Sequence, residues 1–178
     1  MKKALLSILL TAVSLMAQAQ ELKTFSLTVQ PHVSKGKAFI SIINQAVYAE
    51  SDAILNKNNI DFMYALSVSG QDTLKELYNM SGKSSIVPEK VQGTQTIINA
   101  ISWGKDEWNK CKNSTDLKRM AGHLGNNSFS FYAVIANNHT GSINYHYFVF
   151  QLANGKRGVF YVEKGSVNEL IMRVKVEV

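Results

Sequence analysis

From residue 128 to residue 178 the sequence is a succession of short runs rich in aromatic and β-branched residues, which leaves few folds open to it. The runs are 128–136, 142–152, 157–163 and 170–178. Such side chains suit the pleated, half-buried surface of a sheet. Turn-forming residues separate them: 137–141 (NNHTG), Asn154-Gly155 and Lys164-Gly165-Ser166. The spacing predicts an antiparallel meander of four strands. Asn154-Gly155 predicts a two-residue type I′ hairpin, because both positions accept positive φ, with Phe150 and Phe160 close across the ladder.

The last run displays its two faces directly. Leu170, Met172, Val174, Val176 and Val178 alternate with Ile171, Arg173, Lys175 and Glu177, the period of two expected of a strand buried on one side. In the second run His146, Phe148, Phe150 and Leu152 share one face, while Ile143, Tyr145, Tyr147, Val149 and Gln151 share the other. Both faces are apolar, so this strand is expected at the centre of a sheet, covered on both sides.

Strand-like runs also open the chain, at 25–29, 38–43 and 60–68. Between them Ser51 or Asp52 is placed to cap a short helix reaching Leu55. The middle reads as helical over 73–80 behind Asp72, over 94–103 with Ile97, Ile98 and Ile101, and over 115–124 with Leu117, Met120, Ala121 and Leu124. The expected fold is therefore mostly β (α+β): an antiparallel β-sandwich with two or three short helices inserted between N- and C-terminal strands.

Lys2 and Lys3 precede an apolar run over 4–16, and Ala17-Gln18-Ala19 offers a cleavage site, so residues 1–19 read as a signal peptide. Residues 20–178 then form one β-rich domain, periplasmic or secreted. Gln20, not cysteine, stands first after the cleavage site, which speaks against a lipid anchor. No second long apolar run exists, so no membrane span is expected, and 46% hydrophobic residues exclude a disordered chain. The formal net charge of +6 loses two units with Lys2 and Lys3. The remaining excess is diluted by Asp106, Glu107 and Asp116 in its densest stretch, and no nucleic-acid partner is expected. Cys111, the single cysteine, is either a buried small hydrophobe or an exposed thiol able to link two chains.

The order Ala38-Phe39-Ile40, Val47-Tyr48, Ser51-Asp52-Ala53 and Ile60-Asp61-Phe62-Met63-Tyr64 is followed late in the chain by Gly155-Lys156-Arg157-Gly158-Val159-Phe160-Tyr161-Val162. This arrangement resembles small exported β-sandwich domains of unknown function from polysaccharide-foraging Gram-negative bacteria. The resemblance spans about half of the mature chain and its motifs are structural. It implies the fold and the compartment and transfers no active site. The short pattern Asp72-Thr73-Leu74 also resembles an O-glycosylation acceptor of such bacteria, but the reading preferred for it is an ordinary helix start.

Known catalytic patterns are incomplete. His32, His123, His139 and His146 lack metal-ligand spacing. Gly82-Lys83-Ser84 lacks the earlier glycine of a phosphate loop, with Leu77 in its place. Ser34-x-x-Lys37 and Ser102-x-x-Lys105 lack the companion motifs of serine–lysine enzymes. Asp61 and the adjacent Asp106 and Glu107 do not make the facing carboxyl pair that glycosidases use. No catalytic residue, cofactor or metal is therefore assigned.

Aromatic residues remain. Tyr145 and Tyr147 lie two apart on one strand and point the same way; Trp103 and Trp108 flank Gly104. These four are the candidate ligand-binding residues, since rings with one wet face stack on sugars or partner proteins. The expected function is a non-catalytic exported binding or envelope-associated protein whose partner is a glycan or an envelope protein. A protein-binding inhibitor or immunity-type factor, with a patch on the helices of 94–124, is the first alternative. A hydrolase is the more distant one.

Overall fold

The alternation of the last strand sets the architecture. In a computed structural model that describes residues 20–32, 36–69, 72–120, 132–137, 147–165 and 168–178, Leu170, Met172, Val174 and Val176 point inward and Arg173 points to solvent. The strands are β1 (Leu22–Val29), β2 (Phe39–Ser41), β3 (Ala46–Tyr48), β4 (Phe62–Ser69) and β5 (Asp72–Asn79). They continue as β6 (Ile97–Ile101), β7 (Tyr132–Asn137), β8 (Tyr147–Gln151), β9 (Arg157–Gly165) and β10 (Leu170–Glu177). Among the described residues three short α-helices accompany them: α1 (Glu50–Leu55), α2 (Lys105–Lys110) and α3 (Ser114–Met120).

One sheet has the order β1-β10-β9-β8-β6 and the other β3-β2-β4-β5-β7, with every pairing antiparallel. The fold is an antiparallel β-sandwich with short helices. Among the described residues no helix is long and apolar enough to cross a membrane.

The core between the sheets is aromatic. Phe148 and Phe160 stack with centroids 4.8 Å apart, and Phe62 from the opposite sheet meets Phe150 edge-on at 5.8 Å. Each such ring contributes about 1.5–3 kcal/mol by leaving water. Both outer faces carry covers of their own. Phe39, Met63 and Tyr78 on the second sheet lie under Ala53 of α1 and Val87 and Val91 of the following loop. Tyr147, Val149 and Val159 on the first sheet lie under Trp108, Cys111 and Leu117. Strand β8 is accordingly buried on both faces, as its sequence suggests.

Several local expectations are corrected. The stretch 73–80 is extended and all but its last residue belongs to strand β5, paired along its length with β4 and on its other edge with β7. Residues 94–103 contain strand β6, which sends Ile98 into the core and Ile101 outward, paired with β8. In both cases the hydrogen bonds offered by neighbouring strands override a weak helical pattern. Strand β7 joins the second sheet, so the continuous meander is β8-β9-β10 alone. Helix α1 starts at Glu50 with Ala49 as its N-cap and no side-chain cap.

The hairpin at Asn154-Gly155 is also of another type. The Gly155 N–H donates to the Leu152 carbonyl at 2.9 Å and the Leu152 N–H to the Lys156 carbonyl at 2.8 Å. Gly155 alone has positive φ, +85°. This is a three-residue loop with a left-handed glycine, a turn whose twist also matches the strands. Phe150 consequently faces Gly158, and it is Phe148 that faces Phe160. A Cβ on Gly158 would lie 2.1 Å from Phe150 Cζ, so only glycine admits the ring.

Two buried carboxylates have hydrogen-bond partners. The Asp61 carboxylate, 2% exposed, accepts from the Ile42 N–H at 2.8 Å and from Thr96 Oγ1 at 3.4 Å. Burial pushes its carboxyl up to about 6. Glu76 accepts from Ser67 Oγ at 2.5 Å and from the Tyr78 hydroxyl.

Candidate functional site

The antiparallel register of three strands builds a platform. Tyr147 of β8 is opposite Tyr161 of β9, and Tyr161 is opposite Arg173 of β10. Adjacent strands lie about 4.8 Å apart, so these outward side chains form a row across the first sheet. Glu163, two residues beyond Tyr161, points to the same side.

Helix α2 roofs one end of this row. Its N-terminus is held by Glu107, whose carboxylate accepts from the Gly104 N–H at 2.8 Å and is thereby held below the usual carboxylate range. Its last turn is held by Lys175 of β10, whose Nζ donates to the carbonyls of Trp108 and Cys111, each at 2.7 Å. Burial lowers the pKa of that ammonium. Helix α3 follows, opened by Asn113 accepting from the Asp116 N–H at 2.9 Å while Asp116 accepts from the Lys112 N–H at 3.0 Å.

So fixed, α2 brings Trp108 edge-on to Tyr161, with centroids 4.7 Å apart and planes at 83°. Tyr147 and Tyr161 lie 5.4 Å apart. Beside the three rings opens a cavity of about 470 Å³ lined by Lys105, Trp108, Asn109, Tyr147, Tyr161, Glu163 and Arg173. Its floor is aromatic and its rim is polar. Trp108 and Tyr147 are 8% and 9% exposed, Tyr161 is half-buried, and Lys105 and Asn109 are exposed. On the rim, Arg173 Nε donates to Glu163 Oε2 at 2.9 Å and Nη2 to Oε1 at 3.3 Å. That pairing raises the guanidinium pKa further, so its charge is permanent. Burial raises the Tyr147 phenol, with the neighbouring Tyr161 and Glu107 adding to it, which keeps it a neutral hydroxyl.

The sequence-derived candidates fare unequally. Trp108 and Tyr147 meet in this cavity, although Tyr147 forms its floor instead of an exposed strip, because α2 folds over that face of β8. Trp103 is partly buried against the same cluster and does not line the cavity. Tyr145 lies outside the described residues, as do residues 1–19, Ser34, His123, His139 and His146. Asn109, Tyr161, Glu163 and Arg173 are not among the site residues proposed from sequence, and Lys105 enters there only in the incomplete Ser102-x-x-Lys105 pattern. Their signal was the outward parity of Tyr161, Glu163 and Arg173, but register alone makes them neighbours.

Other candidates are placed elsewhere. Cys111 is a free, fully buried thiol, pushed up to about 11 by burial, which is the buried of the two alternatives the sequence leaves open. Gly82, at φ +73°, serves a turn. Thr73 lies in β5 opposite Val68, not at a helix start. Among the described residues no group of three or more His, Cys, Asp or Glu is placed to hold a metal ion. A smaller cavity of about 160 Å³ opens beside Ile42, Ile43, Leu152 and Val176, flanked by Lys23 and Lys156, and has no aromatic lining.

No family profile matches the sequence, and no curated protein matches it. Among solved structures the chain is similar to the crystal structure of a DUF4466 family protein from Parabacteroides merdae, with a TM-score of 0.60 and 17% sequence identity. The match covers 88% of this chain and 53% of that one, so the chain spans about half the length of its structural neighbour. What the two share is the fold; the neighbour's family name denotes a domain of unknown function.

Proposed function

We propose that the protein is an exported, non-catalytic carbohydrate-binding protein, and that the cavity beneath α2 receives the sugar. The observation that carries this reading is the half-buried Tyr161 ring within a wall of hydrogen-bonding groups. A pyranose presents an apolar C–H face and a polar circumference, and the site offers an aromatic floor and a polar rim in the same arrangement. The lining residues include one carboxylate, Glu163, already engaged by Arg173, whereas a glycosidase places two across the scissile bond. Export rests on the leader-like residues 1–19 and on the resemblance to exported bacterial domains.

A glycan array probed with residues 20–178, wild type against Tyr161→Ala, tests the reading. Sugar binding lost in the variant, with the thermal midpoint shifted by only a few degrees, supports it. Capture of an envelope protein with no glycan bound favours the inhibitor reading. Intact mass from secreted or periplasmic material tests export: a chain beginning near Gln20 is expected, and one retaining Met1 contradicts it.

A further inference from the structure

We infer that the cavity selects a sugar bearing a carboxylate, a hexuronate unit, over its neutral counterpart; this rests on the carbohydrate reading above. Arg173 and Lys105 set two positive charges on the lining against the single negative charge of Glu163. Glu163 takes two of the five N–H donors of the guanidinium. Neither Nη1 of Arg173 nor Nζ of Lys105 has a bonded partner among the described residues. The grip of Glu163 on Nε and Nη2 orients the guanidinium plane and leaves the Nη1 side for a second acceptor. A carboxylate is the group that matches it, since two oxygens meet the planar fork in parallel.

The register carries the geometry. Arg173 sits one strand from Tyr161, so a pyranose resting on that ring would hold its substituents within reach of the guanidinium. Lys105, an exposed lining residue on α2, supplies a second charge. A neutral sugar would leave Lys105 without a charged partner and Arg173 with Glu163 alone, while a uronate would bring the lining close to neutrality.

Calorimetry with residues 20–178 provides the test, using tri-galacturonate, its fully methyl-esterified form and a sulfated oligosaccharide of equal length. The inference expects tri-galacturonate to bind at least ten-fold more tightly than the ester, with affinity falling as salt is raised. Lys105→Gln should weaken the acid several-fold and spare the ester. Glu163→Gln should strengthen the acid, because it releases two donors and removes the competing charge. The control Lys83→Gln, on an exposed loop residue, should change nothing. Equal affinity for acid and ester, both lost in Tyr161→Ala, overturns the inference and leaves the carbohydrate reading standing. Equal losses from Lys83→Gln and Lys105→Gln overturn it in favour of general surface charge. Tighter binding of the sulfated ligand overturns the carboxylate assignment. Binding of none of the three, together with a blank glycan array, overturns both.

Discussion

Lys175 holds Trp108 by two different atoms of the tryptophan: Nζ donates to its backbone carbonyl at 2.7 Å and lies 4.5 Å from the centroid of its ring. One side chain from β10 therefore closes the end of α2, donating to the Cys111 carbonyl and sharing the Trp108 carbonyl with the Cys111 N–H, and braces the ring that walls the cavity. The charge is retained despite partial burial because it has those carbonyls and the π-face to interact with.

Lys175→Met keeps the apolar stem and removes the donor. It should cost about 1–3 kcal/mol, since the Cys111 carbonyl loses its partner and the Trp108 carbonyl one of its two donors, and should loosen α2 over the aromatic floor. Urea unfolding is expected to show a lower midpoint at unchanged slope. An unchanged midpoint would mean that water replaces the ammonium without loss.

Two glycines in the same hairpin should respond to alanine for different reasons. At Gly158 the added Cβ meets Phe150 and the Lys175 carbonyl, the latter at 2.7 Å, so overpacking should cost about 1–3 kcal/mol. At Gly155 the space is open and the φ of +85° is the obstacle, with an expected cost of about 1–2 kcal/mol. Asn at position 155 should recover much of that loss, whereas Asn at 158 should be worse than Ala. Thermal midpoints of the four variants check this.

Gln45 is the converse case, a non-glycine residue at φ 51° in the β2–β3 turn. Gln45→Gly should stabilise the protein by several tenths to about 1 kcal/mol by relieving that conformation. A loss of stability would show that the Gln45 side chain makes a compensating contact.

Asp61 predicts a pH dependence of definite sign. Its carboxyl sits at about 6 when folded against an ordinary 3.8, because burial disfavours the charged form. The folded state therefore binds this proton more tightly than the unfolded state. The group's contribution is most favourable below about pH 4 and is lost as pH rises through about 6, by about 3 kcal/mol in all. Asp61→Asn should flatten the stability profile across that window. An identical profile in the variant would assign the titration to another group.

Cys111 should be chemically silent in the folded protein. A thiol pushed up to about 11 and fully buried holds very little thiolate at neutral pH. Labelling with a thiol reagent should be slow in buffer and rapid in denaturant, and non-reducing gels should show no covalent dimer. Rapid native labelling would mean that α2 opens readily.

The strict alternation over 170–178 determined which side of β10 is buried, and the aromatic character of both faces marked β8 as an interior strand covered on both sides, although the central strand of its sheet is β9. Those patterns are readable because a strand's two faces are written in consecutive residues. The same holds for the left-handed turn at Gly155, although not for its exact type, which depends on how the flanking strands align. Segments 73–80 and 94–103 could not be read in this way. Each is short and locally ambivalent, and its extended form is stabilised by hydrogen bonds to strands distant in sequence, β7 for the one and β8 for the other. The cavity belongs wholly to this second class. Tyr147, Tyr161 and Arg173 become neighbours through register, and Trp108 reaches them only because Lys175 closes α2 onto the sheet. Local sequence encodes the facing of each side chain, but the pairing that turns three outward positions into one site exists only once the strands have met.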